Sequence, residues 1–439
     1  MEDNVSWIGK YRDFEPDPAR LIEGAIDAAL VRGGMSPAEL GDRLGRRLGL
    51  APFPEQVVRA WKDGRADPPG RTIPLIFKFA GIDLGEHLAD AGRRSRPPDG
   101  KLEDAVKRRQ FLAVASALGM SLNWEGVLGR LSRPLSEGSK SEAITDLDSL
   151  NEVLGRESWS VPPRALLPVA EHHYGRARVH VAEAQGSDRR RLLSIASEAA
   201  TLAGRLSWLC DNRGNASQYF KMAVQLACEA DDARCRAHAL SQARNLYSQI
   251  VDCGVTGKPT MALALLEEAH ELLRSAKSDV LLTWVLVLKA EEYALQGREL
   301  ECRRDLDAAD GVFAQAGKLI GFFEHWDEDR QMRFRGGCEI LLGNLAEGIR
   351  ILETIRCRMS KQLLGPWITT TADLASAYAQ QGATDCACDL LEEALEIAEP
   401  AGFMAGGISQ IVGTRQRYIT TDLPEVRKLD EHLRLAAAV

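Results

Sequence analysis

From Arg164 to the C-terminus the chain reads as one helix after another, joined by short turns rich in Gly, Asp and Asn. The apolar spacing gives helices of roughly 15 to 22 residues. No stretch alternates apolar and polar residues as a half-buried strand would. A long run of amphipathic helices buries its stripes by stacking helix on helix, so the expected fold is all-α and solenoid-like rather than α/β.

Small residues recur where such helices would cross. The clearest unit is Leu374-Ala375-Ser376-Ala377-Tyr378, followed by Gly382, Ala387, Leu391, Ala394 and Pro400. A second runs Ala290, Tyr293, Gly297, Cys302, Leu306, Ala309, and a weaker third Gly336, Gly343, Gly348, Leu352, Ile355. This pattern, small at the crossings and bulky in the gaps, resembles tetratricopeptide repeats. The first positions lie farther apart than the usual repeat length, so the array is degenerate, with longer helices or loops. A further unit runs from Gly214 through Tyr219-Phe220, Ala223, Leu226 and Ala227 to Asp231-Asp232, and is followed by Ala239, Ala243 and Tyr247.

The N-terminal part is different. Residues 1–19 form a polar tail, and 20–91 read as several short helices. Ser36-Pro37-Ala38-Glu39 has the grammar of a helix start: Ser as N-cap, Pro at the first helical position and Glu at the third, with Leu40, Leu44 and Leu48 continuing one face. Pro54-Glu55-Gln56 opens another helix through Val57, Val58 and Trp61, which Asp63-Gly64 ends. Residues 92–163 connect this domain to the array at 164–439. They contain a Pro/Gly/charge-rich linker, Gly92–Gly100, and a helix over Lys101–Leu122 whose apolar face (Leu102, Val106, Phe111, Leu112, Ala115, Leu118) suits a dimer or interdomain contact.

Val57-Val58-Arg59-Ala60-Trp61-Lys62-Asp63-Gly64 looks like the Val-x-x-Trp-Glu-x-Gly signature of Xre domains. With the Arg108-Arg109-x-Phe111-Leu112 helix and the Tyr-Phe-x-x-Ala-x-x-Leu-Ala repeats, the order resembles actinobacterial Xre-type helix-turn-helix regulators with C-terminal tetratricopeptide repeats. More distantly it resembles the peptide-sensing quorum regulators of Gram-positive bacteria. The resemblance implies that Ser36–Leu48 braces on double-stranded DNA while Pro54–Asp63 enters the major groove. It implies that Trp61 is core and that Glu55, Gln56 and Arg59 face bases. Arg46, Arg47, Lys62, Arg65 and Arg71 are placed to meet phosphates, and Ser36 is counted with them at the start of the bracing helix.

Charge tempers this. The chain carries a net charge of -8. Residues 20–75 hold nine Arg/Lys against seven Asp/Glu. Affinity for duplex DNA scales with phosphates neutralised, so a DNA-binding form is expected to be a homodimer. The alternative is a protein-interaction adaptor or antagonist whose helical domain has lost DNA binding.

In the array, the repeat register sets His238, Ser241, Asn245 and Gln249 on the concave wall of one unit. Trp284 and Glu291 follow in the next, Arg330 and Arg333 in another, and Thr369, Ser376 and Gln380 in the last. Asn and Gln can hold a peptide backbone because an amide both donates and accepts, and Arg can hold a terminal carboxylate. The expected ligand is a peptide or small molecule.

Enzyme and cofactor signatures are not expected. Gly254 to Thr260 lacks the first Gly of a Walker loop (position 252 is Asp) and has Pro259 where Ser or Thr is required. Glu171-His172-His173 with His180 lacks the HExxH pattern of a zinc helix. Nine cysteines without a CxxC suit buried reduced thiols in the cytoplasm rather than a disulfide framework. No apolar run is long enough for a membrane span, and Arg108-Arg109 lies too far into the chain for a twin-arginine export signal.

Overall fold

The computed structural model describes residues 26, 30, 35–48, 52–62, 140–248, 258–274, 280–315, 321–421 and 423–436. The chain divides into two compact units: Met1–Asp104 with Arg434–Val439, and Ala105–Leu433. The expected helices around residues 72–80 and Lys101–Leu122 lie outside the described residues.

In the first unit, α1 (Pro37–Leu48) and α2 (Glu55–Lys62) form the expected pair. The start of α1 is a reciprocal capping box. Glu39 N–H donates to Ser36 Oγ at 3.2 Å, and Ser36 N–H donates to the Glu39 carboxylate at 2.7 Å. Two helix-end donors are thereby satisfied without water. Leu40, Leu44, Val58 and Trp61 are buried, and each such side chain contributes about 1.5–3 kcal/mol on leaving water. The turn folds back tightly onto α1. Phe53 N–H donates to Gly41 O at 3.2 Å, and a Cβ on Gly41 would stand 2.1 Å from the Phe53 carbonyl oxygen. The Phe53 ring then meets Trp61 edge-on at 5.1 Å.

The second unit begins with α3 (Lys140–Glu157), α4 (Pro163–Glu183) and α5 (Gly186–Leu209). Helical pairs follow: α6 (Arg213–Ala230) and α7 (Ala233–Ala243), α8 (Pro259–Leu273) and α9 (Val280–Leu295), α10 (Glu299–Phe313) and α11 (Glu328–Leu341), α12 (Leu345–Arg356) and α13 (Leu364–Gln380). Then come α14 (Thr384–Ala401), α15 (Ser409–Tyr418) and α16 (Pro424–Ala436). Neighbours in sequence pack antiparallel, and α5, α7, α9, α11, α13 and α15 also touch in succession, forming one inner row. The all-α solenoid expected from the sequence is the observed architecture, with no strand among the described residues.

The repeat positions do what their chemistry predicts. Ala290, Ala375, Ala387, Leu391, Ala394, Cys302 and Ala309 are fully buried. In all three units the inner helix ends at a glycine with positive φ: Gly297 at +68°, Gly343 at +87° and Gly382 at +82°. That left-handed conformation reverses the chain into the outer helix. The weakest sequence unit makes the closest crossing. A Cβ on Gly348 would lie 2.5 Å from Ile340 Cγ1 and 3.0 Å from the Gly336 carbonyl oxygen.

The cysteine expectation holds only in part. Cys235, Cys302, Cys338 and Cys388 are buried free thiols, whereas Cys228 on α6, Cys357 just past α12 and Cys386 on α14 are exposed. Cys386 and Cys388 do face different ways, as two-residue spacing on a helix requires.

Candidate functional site

Among the sequence-derived DNA-facing residues, Glu55, Gln56 and Arg59 are exposed on α2, and Arg46 on α1. Two of the arginines are already occupied. Arg59 Nε and Nη2 donate to Glu55 Oε1 at 2.9 and 2.6 Å, and Arg46 pairs with Asp42. Both are i,i+4 pairs with more than half of the arginine side chain exposed. Such pairs contribute little and open readily. Ser36 is engaged in its capping box, and Lys62 is half-buried. Arg47 lies on α1 with its side chain outside the described residues, and Arg65 and Arg71 lie outside them altogether.

The inner row of the second unit encloses two adjoining cavities of about 210 and 130 Å³ that share Arg205 and Gln242 in their walls. The larger is lined by α3 (Asn151, Glu152), α5 (Glu198, Thr201), α7 (His238, Gln242) and the turn Gly321–Phe323. The smaller draws its wall from α5, the 3-10 turn Arg244–Leu246, α9, α11, α13 and the loop before α15. Six residues chosen from the repeat register meet in this one space: Asn245, Trp284, Glu291, Arg330, Arg333 and Thr369. His238 lines the larger cavity, its ring against Phe322 and Phe323 at 5.1 and 5.8 Å. Ser241 is instead buried behind the wall, accepting from Trp284 Nε1 at 3.2 Å and so fixing that indole. Ser376 and Gln380 bond to each other at 3.3 Å and line neither cavity. Gln249 lies outside the described residues.

Several lining residues carried no repeat signal. Trp159, just past α3, donates Nε1–H to Phe322 O at 2.7 Å and reaches into the inner row from a segment the register does not cover. Arg205, Trp326, Phe334 and Phe403 were likewise not anticipated. Arg205 could have been flagged from sequence only by noticing a charge on an otherwise apolar helix face. Trp159 had no local signal at all.

The charges sort into two kinds. Arg244 donates to Glu291 at 2.8 Å and to Glu292 at 3.0 Å, all three almost inaccessible. Arg333 pairs with Asp373 at 3.1 Å, and Gln410 donates to the same carboxylate. Burial still raises Glu292 and Asp373 above the ordinary carboxylate range. Arg205 and Arg330, by contrast, form no ion pair among the described residues. Arg205 stacks on Trp159 at 4.3 Å and gives one hydrogen bond, to Ser158 O. Arg330 stacks on the same indole at 4.0 Å and its side chain gives one, to His325 O. Burial pushes both guanidiniums down to about 9. For Arg330, Asp327 offsets part of that effect and the charges of Arg205 and Arg333 add to it.

In the larger cavity, burial and the nearby Asp148 carboxylate raise Glu198 to about 7. Asn151 Nδ2 donates to Glu198 at 3.3 Å, and its Oδ1 meets His173 Nε2 at 2.8 Å. Burial drives His173 down to about 3, so the ring is neutral at pH 7. Among the described residues, no group of three or more His, Cys, Asp or Glu is placed to hold a metal ion. No helix among them is long and apolar enough to cross a membrane.

The fold and this wall define a helical-repeat array with a lined inner cavity. No family model matches the chain, and no curated protein matches it. Several solved structures are similar, two of which illustrate the likeness. One is a Rap protein complexed with competence and sporulation factor, at 13% identity and TM-score 0.44 over 76% of this chain and 87% of that one. The other is a signal-transduction ATPase with numerous domains carrying a tetratricopeptide-repeat sensor, from Pyrococcus horikoshii, at 12% identity and TM-score 0.38 over 92% of this chain and 63% of that one.

Proposed function

We propose that this protein is a non-enzymatic, ligand-controlled regulator. Its array senses a peptide or small molecule in the inner cavities, and its N-terminal helix pair delivers the output by binding double-stranded DNA as a homodimer. One observation carries the sensing half: polar and charged residues from six successive inner-row segments converge on a single aromatic-walled space, the arrangement by which ligand sites are recognised. The output half is supported by α2, which keeps Gln56 and Arg59 exposed while Trp61 anchors it from behind.

A second reading has its own observation. Arg59 and Arg46 are both held by carboxylates on their own helices, which suits an adaptor that meets a protein rather than a polyanion. Genome-wide mapping of bound DNA, beginning with the protein's own promoter, separates the two. Enriched sites that bind in vitro with a steep salt dependence, and are lost when Gln56 and Arg59 are both replaced by Ala, support the DNA reading. An absence of enriched sites supports the adaptor. Sensing is tested in the same experiment with Thr369→Trp, which fills the smaller cavity. Occupancy that no longer responds to growth conditions supports ligand control, and an unaltered response removes it.

A further inference from the structure

We propose that the smaller cavity is a subsite for a carboxylate carried on an apolar group, held by Arg205 and Arg330. This rests on the reading of the array as a ligand sensor and names the chemistry of what it senses.

The argument starts from an imbalance. Four guanidiniums line the cavity. Arg244 and Arg333 are matched by Glu291, Glu292 and Asp373, whereas Arg205 and Arg330 have no carboxylate within ion-pair distance among the described residues. Burying a charge with no counter-ion is among the costliest arrangements a fold can retain. The buried nitrogens sealed off without a partner include Arg244 Nε and Arg333 Nε, but none from Arg205 or Arg330. Each of the latter side chains spends one hydrogen bond on a backbone carbonyl, out of five N–H groups in a guanidinium. Both side chains line the cavity, so it is there that their unbonded donors can meet a ligand.

Both guanidinium carbons lie within 4.3 Å of the Trp159 ring centroid, so stacking on the one indole holds each fork in place. A fork held this way suits a planar oxyanion, which accepts parallel N–H bonds. The rest of the wall selects the remainder of the ligand. Trp284, Trp326, Phe334 and Phe403 present apolar surface, and about 130 Å³ is close to the cavity size that holds a benzene ring. The occupant is thus an acid whose apolar part is about the size of one large side chain. Two sources share this chemistry: the C-terminal residue of a peptide whose preceding residues extend past Gln242 into the larger cavity, or a free aryl or alkyl acid.

Calorimetric titration of the full chain tests this with four probes: N-acetyl-Leu-Phe, its C-terminal amide, 3-phenylpropionate and 3-phenylpropionamide. Each acid is expected to bind at least ten-fold more tightly than its amide. Arg205→Gln and Arg330→Gln are each expected to weaken the acids at least ten-fold while leaving the amides unchanged. The exposed control Arg350→Gln should change neither. A peptide acid much tighter than 3-phenylpropionate identifies a peptide source, and equal affinities identify a free acid; both support the subsite. Equal binding of acid and amide, insensitivity to both variants, or no binding of any probe at millimolar concentration overturns it. Those failures leave the Thr369→Trp occupancy result standing, so loss of the subsite and loss of the sensor reading are distinguishable. Folding is checked by thermal melting without ligand, where both Gln variants should melt no lower than the parent chain because each removes an uncompensated charge. If either fails to fold, Arg330→Lys keeps charge and stem but loses the fork, and should still weaken the acids; unchanged acid affinity in that variant also overturns the proposal.

Discussion

The N-terminal helix pair and the inner wall of the array both carry arginines paired with carboxylates, yet the two settings give the pairs different meanings. Arg46–Asp42 and Arg59–Glu55 lie along single helices with water on most sides. Their attraction is screened, and they exchange partners at little cost. Arg244–Glu291–Glu292 and Arg333–Asp373 join different elements across a nearly dry wall. There the carboxylates are obligatory, because the guanidinium left behind would be stranded. A surface pair is thus available for a new partner, whereas a buried pair is part of the framework that keeps the neighbouring, unpaired arginines in position.

Three substitutions sharpen the contrast. The largest effect is expected from Arg244→Ala, which strands the buried carboxylates of Glu291 and Glu292. The loss should be about 3–5 kcal/mol, the usual cost of breaking a buried pair from one side, and urea denaturation reads it directly. A loss below about 1 kcal/mol, the range of exposed pairs, would erase the distinction.

Glu198→Gln should act in the opposite direction, and increasingly as pH rises from 4.5 to 7. The folded protein holds the Glu198 proton up to about 7, above the ordinary carboxyl value of 4.5. The native state therefore binds more protons across that interval, and the penalty for the charged form is fully present above it. The Gln variant should melt a few degrees higher than the parent at pH 8, with the difference shrinking as pH falls through 7 and vanishing near 4.5. A pH-independent difference would assign the effect to packing instead.

The smallest effect is expected from Arg59→Ala. Loss of an exposed i,i+4 pair should shift stability by less than about 0.5 kcal/mol. A much larger loss would mean that Arg59 is structural and unavailable to a partner.

Much of the fold was legible because its determinants are local. Ser36 and Glu39 announce a helix start through their own hydrogen bonds. Ala290, Ala375 and Gly348 are small because a second helix passes within contact distance, and that need repeats at a readable interval. The groove was partly legible for the same reason. The register that buries one face of α9, α11 and α13 sends Trp284, Glu291, Arg330, Arg333 and Thr369 toward the inner side. It went astray at Ser241, where a hydroxyl on the correct helix serves an indole, and at Ser376 and Gln380, which follow the same periodicity beyond the cavity's end.

The sequence alone determined which segments are helical, where they turn and which faces must be covered, since those follow from side-chain periodicity and from bonds spanning three or four residues. Only the tertiary structure decided which arginines have partners. Arg205 and Arg330 are separated by more than a hundred residues, and both meet at Trp159, a residue outside the repeat pattern. Whether a buried charge is matched depends on distances between elements remote in the chain, and periodicity within one helix carries no information about them.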